Sequence, residues 1–276
     1  GTPWHVVRTR DFVRFEDGGV AIPSGGPGAS DFNAYTGSVV VEGGRAHAFY
    51  TAQSPERCDP TTGLPLQLVA HAVSDDGMQS WTKLPEETFG APDGYVPSDW
   101  RDPFVFRASA DEPWRMLLAA RTTDAPERRS GLVAQLRSTD LHTWAIDEPF
   151  WAPGLYMGHE CPDVFTEGGH WYLVYSEFTE LFATRYRVAP GPDGPWQVPD
   201  RDTVDGRGFY AAKTVAGIGR RYAVGWIPSK TGERDAGSWE WAGDMAVHEV
   251  AVGSDGQLLF RLPQTIAEAF ASPVAR

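Results

Sequence analysis

The sequence predicts an all-β fold, a five-bladed β-propeller whose first blade is incomplete in this chain. Glycine and proline are frequent, with 30 and 22 among 276 residues, and both favour turns and short strands over long helices. The chain also has 11 tryptophans, whose large flat side chains suit the packing of sheets. Finally, a short phrase and a pair of strand-like segments recur along the chain, as they do in propeller blades.

The recurring phrase joins small polar residues, an acid, a short gap and an aromatic residue. Its copies are "VVRTRDFVRF" (6–15), "HAVSDDGMQSW" (71–81), "QLRSTDLHTW" (135–144) and the weaker "RVAPGPDGPW" (187–196). A phrase that closes each of several units favours a repeat architecture. A β-sandwich is the alternative all-β fold, but it does not predict one such phrase per unit.

Two apolar, strand-like segments open each predicted unit. The first segments are residues 36–41, 101–106, 161–165 and 210–215, and the second are residues 45–52, 114–120, 170–177 and 221–226. Their period of roughly 50 to 65 residues is typical of blades with about four antiparallel strands. We therefore predict four blades that begin with these first segments, the last closing with a hairpin in residues 239–263 that turns at "GSDG".

Residues 1–263 are predicted to form one propeller domain. Residues 1–15 then supply the end of a further blade, whose opening strands are not in this chain. Because an incomplete blade leaves a sheet edge unpaired, we expect the natural protein to extend N-terminally by a few tens of residues. Residues 264–276 are predicted to be a C-terminal tail or linker with a short helical turn.

The formal net charge of -13 argues against a nucleic-acid partner, because polyanions repel one another. No apolar segment approaches the length of a membrane span, so no membrane partner is expected either. The many tryptophans can also line pockets for ligands with apolar faces, such as sugars, so we expect a small-molecule or oligosaccharide substrate as the partner. The sequence indicates no oligomeric state. No signal peptide is visible, which favours a cytoplasmic location over secretion, although a chain that opens with "GTPWHVV" need not begin where its gene does.

No cofactor and no metal are expected. The 7 histidines never fall in HxH or HExxH spacing, so structural or exposed roles are predicted for them. Cys58 and Cys161 do not form a CxxC motif. A disulfide between them is one alternative, but free thiols are favoured, with Cys161 packed as a small apolar residue.

Two acids begin first segments of successive predicted blades: Asp102 in "WRDPFVF" (100–106) and Glu160 in "GHECPDVF" (158–165). Because first strands line the central channel of a propeller, we expect both carboxylates in one pocket. Arg101 can hold Asp102 ionised, whereas the less polar setting of Glu160 favours a raised pKa and a proton-donor role. Glycoside hydrolysis needs such a pair. The alternatives are a turn that initiates a strand for Asp102 and a solvated loop position for Glu160.

Several segments resemble motifs of glycoside hydrolase family 32, the invertase, levanase and inulinase group. "WRDPFVF" and "ECPDVF" resemble its RDP and EC motifs, "AYTGSVV" its FSGS segment, and "GFYAAKTV" its FYA segment. Further similarity at "PWHVVRTRDFVRFEDGGVAIP", "RRYAVGWIPS" and "MAVHEVAVGSDGQLLFRLP" extends the resemblance over nearly the whole chain. Family 43, which shares the propeller, tends to show EGP where this chain has ECP.

The resemblance implies a five-bladed propeller that cleaves β-fructofuranosidic bonds in sucrose- or fructan-like substrates with retention of configuration. It implies that Glu160 is the catalytic general acid/base and that Asp102 is a catalytic residue that stabilises the transition state. The resemblance also implies that the substrate is bound by Arg101, Tyr35, Thr36, His159 and Tyr210.

The chain departs from the family's pattern at the nucleophile. In the family this aspartate lies in a WMNDPNG segment, and residues 1–276 contain no such motif. Asp11 and Asp31 are the nearest acids, but both lie in predicted loops and neither is a candidate. Arg207-Gly208 stands where the family usually has an acid, and the family's C-terminal β-sandwich is not in this sequence. The open alternatives are a family-43-like arabinofuranosidase or xylosidase, a non-catalytic sugar-binding propeller, and a transferase.

Overall fold

Strands dominate the computed structural model, which describes residues 1–217, 219–234 and 236–271. The chain divides into two compact units. Unit 1 comprises Gly1–Val6 and Gly18–Pro162, and unit 2 comprises Val7–Asp17 and the chain from Asp163 onward. The end of the predicted C-terminal tail, residues 272–276, lies outside the described residues.

The first sheets of the chain follow the sequence order of their strands. A two-stranded sheet pairs β1 (Trp4–Thr9) with β2 (Phe15–Ile22). The next sheet has the order β3 (Asn33–Glu42), β4 (Arg45–Cys58), β5 (Pro65–Ser74) and β6 (Thr82–Lys83). The following sheet has the order β7 (Tyr95–Phe106), β8 (Trp114–Thr122), β9 (Gly131–Ser138) and β10 (Ala145–Trp151).

Two more sheets and a short helix complete the described chain. One sheet contains β11 (Glu160–Glu167), β12 (His170–Glu177) and β13 (Ala183–Ala189). The other contains β14 (Tyr210–Gly217), β15 (Arg220–Lys230), β16 (Trp239–Val252) and β17 (Leu258–Arg261), and the helix is α1 (Gln264–Ala269).

Sheets whose strands follow one another in sequence are up-and-down meanders, the form of a propeller blade. The described residues contain four of them, so the chain is all-β and propeller-like. Each predicted first segment lies in the strand that opens one meander, which confirms that part of the prediction. The fifth blade and the single domain over residues 1–263 stay predictions.

The recurring phrase forms the same kind of turn at three of its copies. Asp11 Oδ1 accepts hydrogen bonds from two backbone N–H groups two and three residues later. Asp140 does the same at 2.8 and 2.7 Å, and Asp76 binds N–H groups three and four residues later. A left-handed residue follows each acid: Phe12, Leu141 and Met78. The phrase therefore favours a short polar side chain such as aspartate, which can accept hydrogen bonds from the backbone of its own turn.

The cores lie around the middle strands of the meanders. In β8, every residue from Trp114 to Ala120 is buried, as expected for a strand that is covered on both faces. In unit 2, Tyr172 and Val174 of β12 lie in the core. Neither cysteine forms a disulfide, and Cys161 is buried, which confirms that prediction. Among the described residues, no helix has both the length and the apolar composition to cross a bilayer.

Candidate functional site

The opening strands carry a local irregularity at the predicted site residues. In the pairing of β7 with β8 the register shifts between Arg101 and Phe104. Asp102 has φ 60° and Cys161 has φ 51°, and Ala211 in β14 has φ 53°. Left-handed residues other than glycine are strained and often occur at functional sites. The bulge re-aims the side chains beside it.

These left-handed residues show which positions of the opening strands correspond from one blade to the next. The correspondence differs by one residue from the one that the sequence pattern indicated. The sequence pattern aligned Asp102 with Glu160, whereas the left-handed φ aligns Asp102 with Cys161. Glu160 then corresponds to Arg101, since each immediately precedes the left-handed residue. The two predicted acids are therefore neighbours in the site without being equivalent in the repeat.

Hydrogen bonds join the left-handed residues to neighbouring strands. The N–H of Asp102 donates to Thr51 Oγ1 at 2.8 Å, and the N–H of Cys161 donates to Asp102 Oδ2 at 2.8 Å. In unit 2, the N–H of Ala211 likewise donates to Ser176 Oγ at 2.9 Å. The bond from Cys161 fixes the Asp102 carboxylate against the residue that follows Glu160.

Arg101 holds the two predicted acids together. Its Nε and Nη2 donate to Glu160 Oε1 at 3.2 and 3.0 Å, and its Nε lies 4.0 Å from Asp102 Oδ2. Nε of Arg101 lies 3.2 Å from Glu160 Oε1 and 4.0 Å from Asp102 Oδ2, so these two carboxylate oxygens are no farther apart than the sum of those distances. The three side chains are only 14%, 11% and 6% exposed, in the order Arg101, Glu160 and Asp102. Glu160 lies in a more polar setting than the sequence suggested, and Arg101 binds it rather than Asp102.

Two further groups bind Arg101 and were missed by the sequence analysis. Nη1 of Arg101 donates to Asp99 Oδ1 at 2.6 Å and to Gln67 Oε1 at 3.0 Å. Asp99 Oδ2 also accepts a hydrogen bond from Arg121 Nη1 at 3.1 Å. Burial works against the charge of Arg101, but the carboxylates of Glu160, Asp102 and Asp99 outweigh it and raise the pKa of this guanidinium. Arg101 therefore stays a cation that organises the site.

One of the missed residues left a signal in the sequence. Asp99 stands two positions before Arg101, and side chains at i and i+2 of a strand point to the same face. Trp100 between them is fully buried on the opposite side. Gln67 and Arg121 come from β5 and β8, and nothing in the sequence connects them to Arg101.

Thr36 and Tyr35 lie at the start of β3. The carbonyl oxygen of Thr36 accepts a hydrogen bond from Thr51 Oγ1 at 3.1 Å, so one hydroxyl connects Thr36 to the backbone of Asp102. The Tyr35 side chain is exposed. The next residue, Gly37, has to be glycine, because a Cβ there would come 2.0 Å from the carbonyl oxygen of Phe49.

His159 lies in tight packing just before Glu160. It is fully buried, with its ring centroid 5.0 Å from that of Trp151 and 5.5 Å from that of Tyr156. A Cβ on Gly131 would come 2.7 Å from atoms of the loop before His159. The ring supports the backbone of this loop, and its implied contact with a sugar stays a prediction.

Tyr210 belongs to unit 2 and is fully buried there. Its ring stacks on Phe182 with centroids 4.2 Å apart and packs against Trp226 and Trp241. A cavity of about 630 Å³ in the same unit has Phe182, Trp239 and Trp241 among its walls. Its apolar, aromatic lining is of a kind that binds the faces of sugars.

A family model matches most of the chain. It describes the N-terminal domain of glycosyl hydrolases family 32 and matches residues 1–261.

The chain is similar to the sucrose-6-phosphate hydrolases of two bacteria. It is 24% identical to that of Vibrio alginolyticus, over 93% of this chain and 54% of the relative. It is 26% identical to that of Escherichia coli, over 94% of this chain and 55% of the relative. The chain therefore spans about half the length of the curated relatives it matches.

Similar solved structures include a mutant of the Bombyx mori GH32 β-fructofuranosidase in complex with sucrose. The TM-score is 0.73 at 20% identity, with 96% of this chain and 57% of that chain covered. At this identity the likeness shows the fold alone.

Proposed function

Because the chain belongs to glycosyl hydrolases family 32, we propose that it forms the catalytic part of a retaining glycosidase that cleaves β-fructofuranosidic bonds in sucrose- or fructan-like substrates. The observation that carries this proposal is the position of Arg101, which binds Glu160 and lies 4.0 Å from Asp102. Two carboxyl groups around one cation provide what the reaction requires, a proton donor and a stabiliser of positive charge.

Glu160 acts as the general acid/base in this proposal. It protonates the leaving oxygen of the glycosidic bond and later removes a proton from the attacking water. Asp102, held by the N–H of Cys161, accepts hydrogen bonds from hydroxyls of the fructose ring. Arg101 orients both carboxylates. Tyr35, Thr36, Arg101, His159 and Tyr210 keep their implied roles in substrate binding as part of the proposal.

Retention of configuration also needs a carboxylate nucleophile about 5 Å from the acid. Neither Asp99 nor Asp102 is assigned that role, because both are engaged with the Arg101 network or with backbone. Activity is therefore measured on the complete protein. Because two relatives are named sucrose-6-phosphate hydrolases, the substrates tested are sucrose, its 6-phosphate and a short fructan.

We also propose that β1 and β2 belong to a fifth blade. The turn at Asp11, next to β1, has the same acid-to-backbone hydrogen bonds as the turn at Asp140, which joins the last two strands of a described meander. A cytoplasmic location is proposed as well, and immunolocalisation in the source organism tests it.

The test of the catalytic assignment is Glu160→Gln, which keeps the size of the side chain and removes its acidity. We expect fructose release to fall by about 10²–10⁴-fold, the usual contribution of a general acid or base. With an aryl fructoside, whose leaving group needs no protonation, the Glu160 variant loses less of the rate of the first step, in which the glycosidic bond breaks. Glu148→Gln is the matched control, since Glu148 is an exposed glutamate of the same unit, and it leaves the rate unchanged.

An unchanged rate in the Glu160 variant contradicts the proposal. So does a product with inverted configuration by NMR, which indicates a family-43-like furanosidase instead. If the complete protein binds fructosides in calorimetry and releases no fructose, it is a sugar-binding propeller. Fructose transfer to a second sugar in place of water identifies a transferase.

A further inference from the structure

A second polar cluster in unit 1 consists of His47, His71, Glu87 and His142. Oε2 of Glu87 lies 2.6 Å from Nδ1 of His71, and Oε1 lies 2.8 Å from Nδ1 of His142. Nε2 of His71 lies 3.0 Å from Nδ1 of His47. The ligand atoms of His71, Glu87 and His142 all lie within 4.8 Å of one another. The proposed hydrolysis uses none of these four residues.

Backbone hydrogen bonds hold Glu87 over His71. Glu87 ends a 3-10 helix, Pro85–Glu87, that follows β6. Leu84 before the helix donates its N–H to the carbonyl of His71 at 2.9 Å, and Phe89 after it donates to the carbonyl of Val69 at 3.1 Å. Both ends of the segment are therefore fixed to β5, and Glu87 has little freedom to move away.

His142 reaches the cluster from the next sheet. It lies in the turn after β9, where its N–H donates to Asp140 Oδ1 at 2.8 Å. The side chain of His142 is 38% exposed, whereas that of His71 is buried. One side of the cluster is thus fixed in the protein interior and the other is open to water.

The hydrogen bonds define the tautomers. A carboxylate oxygen only accepts, so Nδ1 of His71 and Nδ1 of His142 donate to Glu87. In the neutral ring Nε2 of His71 then accepts from Nδ1 of His47. Burial, together with the neighbouring imidazoles, lowers the pKa of His47 to about 4, and burial also lowers the pKa of His71. Both rings are neutral at pH 7, the charge state that binds metal ions, but zinc binding requires the other tautomer. When Nδ1 of His71 and Nδ1 of His142 bind the ion, each ring carries its proton on Nε2, and Nε2–H of His71 then donates to Nδ1 of His47.

We propose that His71, Glu87 and His142 form a zinc site that ties the segment after β6 to the turn after β9. Zinc binds imidazole nitrogen and carboxylate oxygen at about 2.0–2.2 Å, so movements of about 1 Å or less bring the three ligands to one ion. Water occupies the fourth tetrahedral position on the side of the exposed His142.

The ligand types favour zinc over the hard cations. Two imidazoles and one carboxylate suit Zn²⁺, whereas Ca²⁺ and Mg²⁺ require mostly oxygen ligands. His47 contacts Nε2 of His71, the ring nitrogen that does not face Glu87. It thereby orients the ring, as the outer partners of zinc-binding histidines usually do. The sequence analysis expected no metal, because the histidines lack local spacings such as HxH. The proposal departs from that expectation, because this cluster is assembled from three separate elements.

The test is calorimetric titration of Zn²⁺ into complete, tag-free protein that has been treated with a chelator. We expect one zinc per chain and no comparable binding of Ca²⁺. His142→Gln weakens binding by more than about 100-fold, because loss of an outer partner alone costs 10–100-fold. His47→Gln removes such a partner and costs about 10–100-fold. His5→Gln, at an exposed histidine outside the cluster, leaves the affinity unchanged.

Glutamine at position 142 can still donate a hydrogen bond to Glu87, so a purely structural cluster survives this change. The His142 variant therefore keeps its circular dichroism spectrum but loses the rise in melting temperature that zinc gives the parent protein. Co²⁺ bound to the parent shows the visible bands of tetrahedral coordination. The proposal is overturned if the parent binds no zinc saturably, or if the His142 and His5 variants bind it equally well.

Discussion

Arg101 is the residue whose removal tests the site most directly. Arg101→Met keeps most of the length of the side chain and deletes its guanidinium. Glu160 then loses two hydrogen bonds and Asp99 loses one. Three carboxylates, those of Glu160, Asp99 and Asp102, are left without the cation that they share.

The expected cost follows from burial. Glu160, Asp99 and Asp102 have side chains only 11%, 15% and 6% exposed, so water compensates little for the lost cation. Removing one partner of a buried ion pair usually costs about 3–5 kcal/mol. Because folded domains are stable by only about 5–15 kcal/mol, Arg101→Met removes a large share of the free energy of unfolding. Arg101→Lys keeps the charge but cannot bind two carboxylates with a planar fork, so its cost is smaller.

Urea unfolding of the complete protein measures these differences. Arg45→Met is the control, because Arg45 also makes two hydrogen bonds to one aspartate, Asp75, but on the exposed surface. We expect its unfolding midpoint to stay close to that of the parent. If the Arg101 and Arg45 variants lose similar stability, the buried network around Arg101 does not exist as described.

Three further predictions concern single contacts. Thr51→Val leaves the N–H of Asp102 without its acceptor and costs about 1–3 kcal/mol by urea unfolding, whereas Thr51→Ser restores most of the loss. Gly37→Ala places a Cβ 2.0 Å from a carbonyl oxygen of β4 and costs about 1–3 kcal/mol, while Gly206→Ala, with no atom within 4 Å of its Cβ, costs little. Burial raises the pKa of Tyr172 from 10.0 to about 12. The neutral phenol therefore contributes to the free energy of unfolding in full below pH 10, and this contribution, at most about 3 kcal/mol, is lost as the pH rises to 12. Tyr172→Phe makes the free energy of unfolding less dependent on pH between pH 10 and 12.

The strands and closing turns could be predicted because their causes are local. The second segment 170–177 matches β12 at both ends, and the glycine turn at Gly168 and Gly169 marks where its apolar residues begin. Asp11 and Asp140 were visible as parts of one phrase because each acid binds its own backbone. The start of β7 could not be predicted, because the proline and polar residues after Tyr95 are typical of a loop. Pairing of Tyr95 with β8 overrides that preference.

The candidate site was harder to predict than the strands. Sequence spacing brought Asp102 and Glu160 to one place, but it paired Arg101 with Asp102. A left-handed φ at a non-glycine residue leaves no trace in the sequence, so the one-residue offset at Cys161 could not be seen. The cluster of the proposed zinc site was missed for another reason, because His71, Glu87 and His142 meet only when separate turns and strands pack together.

The position of Arg101 gives the proposed acid a dependence on its substrate. Two hydrogen bonds from the guanidinium to Glu160 Oε1 stabilise the charged carboxylate, which opposes the protonation that an acid catalyst needs. Hydroxyl oxygens of a fructose ring are acceptors for the same N–H donors. Each donor that turns to the sugar is withdrawn from Glu160, and the carboxylate then holds a proton more readily. In the proposed mechanism, Arg101 thus couples the binding of fructose to the protonation of Glu160, so that the protonated acid is favoured when a glycosidic oxygen is there to receive the proton.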